Sequence, residues 1–160
     1  MGEFARAIQE TLRDELRAAR PTYDWSVEFP VNGTPVDVGG ESETSDTLVA
    51  CEVEIRRADP ANNTVKLFRS LSEGVLDDYD RIVVCQAFTA YYDLASGGVS
   101  TKRENAEFVG HLAEDVFERV TFVPVEFAVD PPKRGGEWPE QWETAVTETA
   151  STVAALLENR

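Results

Sequence analysis

Glu52, Glu54 and Arg56 stand two residues apart in the segment Leu-Val-Ala-Cys-Glu-Val-Glu-Ile-Arg-Arg at residues 48–57. Alternation along a strand puts these three on one face and Val49, Cys51, Val53 and Ile55 on the other. Two carboxylates and a guanidinium in a row are ordinary on a solvated face. This strand, however, falls in the middle of the chain's order and precedes a helix that should pack across the sheet, so the charged row belongs to a sheet edge or a cleft. Asp37, bracketed by Val36 and Val38 on the preceding strand, can lie beside it. Converging carboxylates are unfavourable unless a cation or a base neutralises them. Hard oxygen donors with positions left for water suit Mg²⁺ or Mn²⁺.

The next segment adds positive charge. Residues 56–69 hold Arg56, Arg57, Lys66 and Arg69 against one acid, Asp59, in a chain with twice as many acids as bases. Asn62, Lys66 and Arg69 fall on one helical stripe, with Val65, Phe68, Leu71 and Val75 nearer the core. The plainest reading is a charged helix surface pairing with Glu52, Glu54 or Asp59.

The elements that must position these groups follow from periodicity. Phe4, Ala5, Ile8, Leu12, Leu16 and Ala19 predict a helix over residues 3–19, ended by Pro21. Residues 23–30 alternate, with Tyr23, Trp25, Val27 and Phe29 on one side, and read as a half-buried strand. Asn32-Gly33 predicts a tight turn into a strand at 35–38, followed by a polar loop over 39–47. After the strand at 48–57, Asp59-Pro60 reads as a helix start, with the helix running to about residue 75. A strand at 81–88 carries Ile-Val-Val-Cys, typical of a strand covered on both faces. A helix over about 102–119, a strand at 120–129, a proline-rich loop at 131–139 and a helix over about 140–158 complete the order. The early strands suit antiparallel hairpins and the later ones helical crossovers, so the sheet should be mixed.

Composition narrows the classes. The chain has 160 residues, 30 Asp and Glu against 15 Lys and Arg, and a net charge of −15. Its length suits one domain, residues 1–160. No apolar run approaches the 18 or so residues that cross a membrane, and no signal pattern opens the chain, so no membrane partner and a cytoplasmic location are expected. Cys51 and Cys85 lie in apolar runs and read as buried thiols. Acid excess with only three lysines resembles proteins of salt-loving organisms, whose surface charge is screened at high ionic strength. His111, the glycine pairs at 39–40 and 97–98, and Trp138 with Trp142 lack the context of a catalytic or phosphate-binding motif. Gln86, Tyr91 and Tyr92, near a strand end, can line a cleft beside the charged row.

The order helix, three strands, helix, strand, with an acid on the second strand and an acidic motif on the third, resembles the PD-(D/E)xK restriction-endonuclease-like superfamily over about residues 1–129. The resemblance implies an α/β fold with a mixed sheet of about five strands and helices on both faces, an αβββαβ core followed by αβα elements. It implies metal-dependent hydrolysis of phosphodiester bonds in DNA, with Asp37 and Glu52 holding Mg²⁺ or Mn²⁺. Position 54, where the motif lysine is expected, holds Glu54, while Lys66 stands where some branches carry a lysine on the following helix. A second register reads Glu54-Ile55-Arg56 as the motif, and arginine does not readily lose a proton. Catalytic roles then fall to Asp37, Glu52, Glu54 and Lys66, and contacts to the nucleic-acid backbone to Arg56, Arg57, Asn62 and Arg69. Glu10 or Asp14 of the first helix would complete the site. The departure at Glu54 keeps a second reading open, a catalytically inactive member that binds nucleic acid or a protein. A homodimer is expected only because many such nucleases pair to cut two strands.

Overall fold

The computed structural model describes residues 2–158. Its elements are α1 (Glu3–Ala19), β1 (Tyr23–Val31), β2 (Thr34–Ser42), β3 (Thr47–Glu54), α2 (Ala61–Ser72), β4 (Arg81–Thr89), α3 (Thr101–Val116), β5 (Val120–Phe127) and α4 (Trp142–Leu156). The five strands lie side by side in chain order. β1, β2 and β3 are antiparallel neighbours, and β3, β4 and β5 run parallel. The chain is therefore an α/β protein with a mixed sheet, as its hydrophobic pattern predicts.

Each face of the sheet carries its own core. Phe4, Ile8, Leu12 and Leu16 recur every four residues along α1 and form its buried stripe. They meet Trp25, Val38, Val49, Cys51, Val83 and Cys85 of the sheet and Val146, Ala150 and Val153 of α4. The other face packs Leu48, Ala50, Ile82 and Val84 against Leu67, Phe68 and Leu71 of α2 and Ala113 of α3. Each fully buried leucine side chain here contributes about 1.5–3 kcal/mol. Every residue of β3 is buried, because helices cover both of its faces and strands both of its edges. Cys51 faces Cys85 across the parallel ladder, and both are free and buried. The hydrogen bond that the Cys51 thiol donates to Cys85, followed by burial, pushes that thiol well up, which keeps it unreactive.

Several boundaries differ from the sequence reading for physical reasons. Asn32 and Gly33 both take positive φ, 48° and 75°, and close the two-residue turn between β1 and β2. The segment from Gly39, read as loop, continues β2 to Ser42. Its glycines are there because Phe29 and Trp25 lie on them, and a Cβ at 39 or 40 would meet those rings at 2.4 Å. β3 ends at Glu54, so Arg56 lies beyond the strand and not in its charged row. Pro60 takes the position before the first residue of α2, and no side chain caps that helix. Val65 and Val75, placed near the core from their spacing, are 46% and 44% exposed.

The close contact at Gly40 gives a measurable expectation. Gly40→Ala drives a methyl group into the Trp25 ring, which is only 1% exposed and has nowhere to move. Overpacking of this kind costs about 1–3 kcal/mol, so the urea midpoint should fall with an unchanged slope. An unchanged midpoint would mean that β1 and β2 are not packed as described.

Candidate active site

A change of face in β1 and β2 makes the site. Trp25 and Val27 pack on the α1 side of the sheet, but Phe29, Val31 and Val36 pack on the α2 side. The continuous alternation read from Tyr23 to Phe29 therefore breaks inside the strand. The break falls at Glu28, whose φ of 49° is left-handed, and the Glu28–Asp37 pair drops out of an otherwise regular register. A non-glycine residue in that region is uncommon in a strand and concentrates at functional sites. On its other edge β2 stops pairing with β3 after Val38 meets Cys51. The two strands part there, and side chains fill the gap.

Asp37 occupies the gap. Its Oδ2 accepts the backbone N–H of Val53 at 2.8 Å, replacing a missing ladder bond, and its Oδ1 accepts Nε2 of Gln9 at 2.7 Å. The same Gln9 amide also donates to Glu28 at 3.1 Å. From β3 the Glu52 carboxyl reaches Asp37 and shares a hydrogen bond with it. Glu54, two residues on, is fully buried and accepts Nε2 of Gln86 at 2.9 Å and Nδ2 of Asn63 at 3.3 Å, with Arg57 Nε 3.8 Å from its second oxygen. That second oxygen has no hydrogen-bond donor among the described residues.

Burial governs the charge of the trio. It pushes Glu52 up to about 9, helped by the neighbouring Asp37 and Glu54. Glu54 rises to about 7, again through burial, against the hydrogen bond from Gln86, the charge of Arg57 and the hydrogen bond from Asn63. Burial raises Asp37 too, but its hydrogen bonds from Val53, Gln9 and Glu52 oppose the rise. Near neutral pH Glu52 thus holds a proton and donates it to Asp37. The cation that acts on all three acids is Arg57. Tyr92 holds its backbone, accepting Arg57 N–H at 2.8 Å and donating to Arg57 O at 3.1 Å.

The other sequence-predicted residues divide. Lys66 lines a small space with Glu52 and Asn63, and its side chain makes no hydrogen bond or ion pair among the described residues. Asn62 is exposed and turned away, and its neighbour Asn63 takes the inward place. Arg69 is exposed and pairs with Glu73, so it does not join the site. Arg56 reaches Pro131 O and lies 5.3 Å from the centre of the Tyr91 ring. Glu10 and Asp14 pair with Arg6 and Arg13 on the outside of α1. Gln9 supplies what α1 gives to the site.

Gln9 and Glu28 escaped the sequence reading. The signal for Gln9 was present, because it sits beside Ile8 on the apolar stripe of α1 and is 4% exposed. A polar residue on a buried stripe implies a partner. Glu28 gave no signal, since its place in an alternating strand looked regular.

Asp37, Gln9, Glu28, Arg56 and Arg57 line a cleft of about 280 Å³ that opens beside this gap. No group of three or more His, Cys, Asp or Glu side chains forms a metal cage among the described residues. The donor set is of another kind. Two carboxylates in contact, with a proton held between them by burial, suit a Mg²⁺-like ion that takes one or two carboxylates and keeps its remaining places for water or phosphate.

The comparisons leave the chain on its own. It matches no family model, no curated protein and no solved structure. The site therefore rests on its geometry.

Proposed function

We propose that this protein is a metal-dependent nuclease of the PD-(D/E)xK kind, acting on phosphodiester bonds of DNA. The observation that carries the reading is the contact of Asp37 and Glu52 across the gap where β2 and β3 part. An apolar pair would fill that gap at lower free energy, since ionised carboxylates are expensive to bury. Two acids in that place make sense when a cation completes them.

Asp37 and Glu52 would hold the Mg²⁺ or Mn²⁺, which when bound activates water and clamps phosphate oxygens. Val53 N–H and Gln9 fix the Asp37 carboxylate so that both of its oxygens keep their direction. To hold the ion Glu52 would have to release its proton, so affinity should rise with pH. Arg57 lines the cleft with Asp37, and Lys66 lines the small space with Glu52, so both would offer positive charge to a phosphate held there. Glu54 takes no part as an acid in contact with substrate. Locked by Gln86 and Asn63, it holds Arg57 at the mouth of the cleft. The paired buried thiols suit a reducing compartment such as the cytoplasm.

The second reading, a nucleic-acid binder without catalysis, is favoured by one observation. Glu54 stands where the motif lysine is expected, and the arginine beside it cannot act as a base. Incubation of plasmid and linear DNA with Mg²⁺ or Mn²⁺ in high KCl separates the two. The nuclease reading expects metal-dependent cleavage that Glu52→Ala lowers at least about 100-fold, the loss typical of removing a transition-state electrostatic contact. DNA bound but left intact at every metal concentration would favour the second reading.

A further inference from the structure

A groove about 650 Å³ in volume runs from the cleft between the start of α1 and the loop after β5. The two spaces share Ala5, Ile55, Arg56 and Arg57. Arg56, Arg57, Lys133 and Arg134 line the groove, against one acid, Glu3. In a chain of net charge −15, four cations around a single carboxylate are a local reversal of sign. Lys133 and Arg134 are exposed, and neither has an ion-pair partner among the described residues. Arg56 donates to Pro131 O and so fastens the loop that carries them.

The first turn of α1 forms the other wall. Gly2 stands at the N-cap position without a side-chain cap, so the leading N–H groups of a 17-residue helix have no side-chain acceptor there. Such an end attracts anions, and here four cations reinforce it. Trp138 also lines the groove, 41% exposed, with its ring held by Phe4 at 5.4 Å and Trp142 at 5.7 Å. A fixed, half-exposed indole beside cations is the pairing that single strands use, phosphates on the bases of the protein and a nucleobase stacked on the aromatic ring.

We propose that this groove binds a single-stranded segment of polynucleotide and leads it to the Asp37–Glu52 site. The inference rests on the nuclease or nucleic-acid-binding reading for its direction but not for its test. The volume of the groove lies in the range of clefts for single small ligands, which accommodates a nucleotide or two of an extended strand. Bases inside a duplex, moreover, have no free face for Trp138.

The test is binding of a short labelled oligothymidylate, followed by anisotropy in EDTA, where metal and cleavage play no part. Wild type should bind it more tightly than a duplex of equal length and more tightly than thymidine monophosphate, with quenching of tryptophan fluorescence. Titrations from roughly 0.1 to 1 M KCl should give a salt slope that falls by about 0.7 for each cation removed. Lys133→Ala with Arg134→Ala should therefore weaken binding at least about tenfold at the low-salt end and lower the slope by about 1.4. Both side chains are solvent-exposed, so an unchanged melting temperature certifies the fold of the double variant. Trp138→Leu, which keeps an apolar side chain against Phe4, should lose the quenching and bind more weakly.

Equal affinity and slope in the double variant would overturn the groove, as would tighter duplex binding or no binding at all. Monophosphate binding as tight as the strand's would also overturn it, in favour of a nucleotide pocket. Cleavage with a dispensable groove would leave the nuclease reading intact, while strand binding without cleavage would leave the groove and remove the nuclease.

Discussion

Without metal, stability should fall as the pH rises from about 5 to about 9, and Glu52→Gln should remove most of that fall. The sign follows from the two acids at the parted strands. In the unfolded chain a glutamate titrates near its ordinary 4.5, whereas in the folded protein burial holds Glu52 at about 9 and Glu54 at about 7. Between those values the folded state binds more protons than the unfolded one, so raising the pH favours unfolding. The stability is fully present below about 4.5 and lost as the pH climbs through about 7 for Glu54 and about 9 for Glu52. Each such group gives a slope of at most about 1.4 kcal/mol per pH unit. Glutamine at 52 keeps a donor toward Asp37 and carries no ionisable proton. At about pH 8 the variant should thus be more stable than wild type by several kcal/mol, on the order of the integrated slope, and near pH 5 the two should converge. Urea unfolding across this range reads both effects. A wild-type stability that is flat or rises with pH would mean that Glu52 is ionised by a partner such as Lys66.

The second large effect is that of the ion. A divalent cation bound to the folded state alone stabilises it by about 2.7 kcal/mol at a hundred times its dissociation constant. For a chain of this size that corresponds to a rise in Tm of roughly 5–10 °C. Mn²⁺ should give this rise in wild type at about pH 8 and none in Glu52→Gln or Asp37→Asn. Glu10→Gln, on the outside of α1 and paired with Arg6, should respond like wild type. The measurement belongs in high KCl, because an acidic surface collects divalent ions diffusely and salt screens that background. Equal shifts in wild type and both site variants would place the ion elsewhere.

The architecture was open to reading because its signals are local. The stripe from Phe4 to Leu16 needs only the helical period, the Asn32-Gly33 turn only its two residues, and Ile82 to Cys85 only a run of apolar types. Strand order made Asp37 and Glu52 legible as neighbours, whereas the break in alternation at residue 37 that shapes their contact was not. The failures share one cause: they depend on contacts across elements or on a local backbone break, neither of which periodicity shows. Gly39 and Gly40 looked like a loop because nothing nearby shows that Phe29 and Trp25 lie on them. Asn62 shares a helical stripe with Lys66 and Arg69, but the buried Glu54 sets the inward direction and Asn63 takes it. Glu28 was hidden by an alternation that the backbone itself breaks. Lys66 lies beside Glu52, while Arg57, expected at the nucleic-acid backbone, also acts on all three acids, which strand parity does not show.

The central claim is that Asp37 and Glu52 together hold one divalent ion. Electron paramagnetic resonance of Mn²⁺ tests it most directly, because the free ion gives a sharp signal that binding removes. In high KCl at about pH 8, where salt screens the diffuse acidic surface, wild type should remove about one equivalent per chain. Glu52→Gln and Asp37→Asn should remove almost none. Identical binding curves for wild type and both variants, at whatever stoichiometry, would contradict the account.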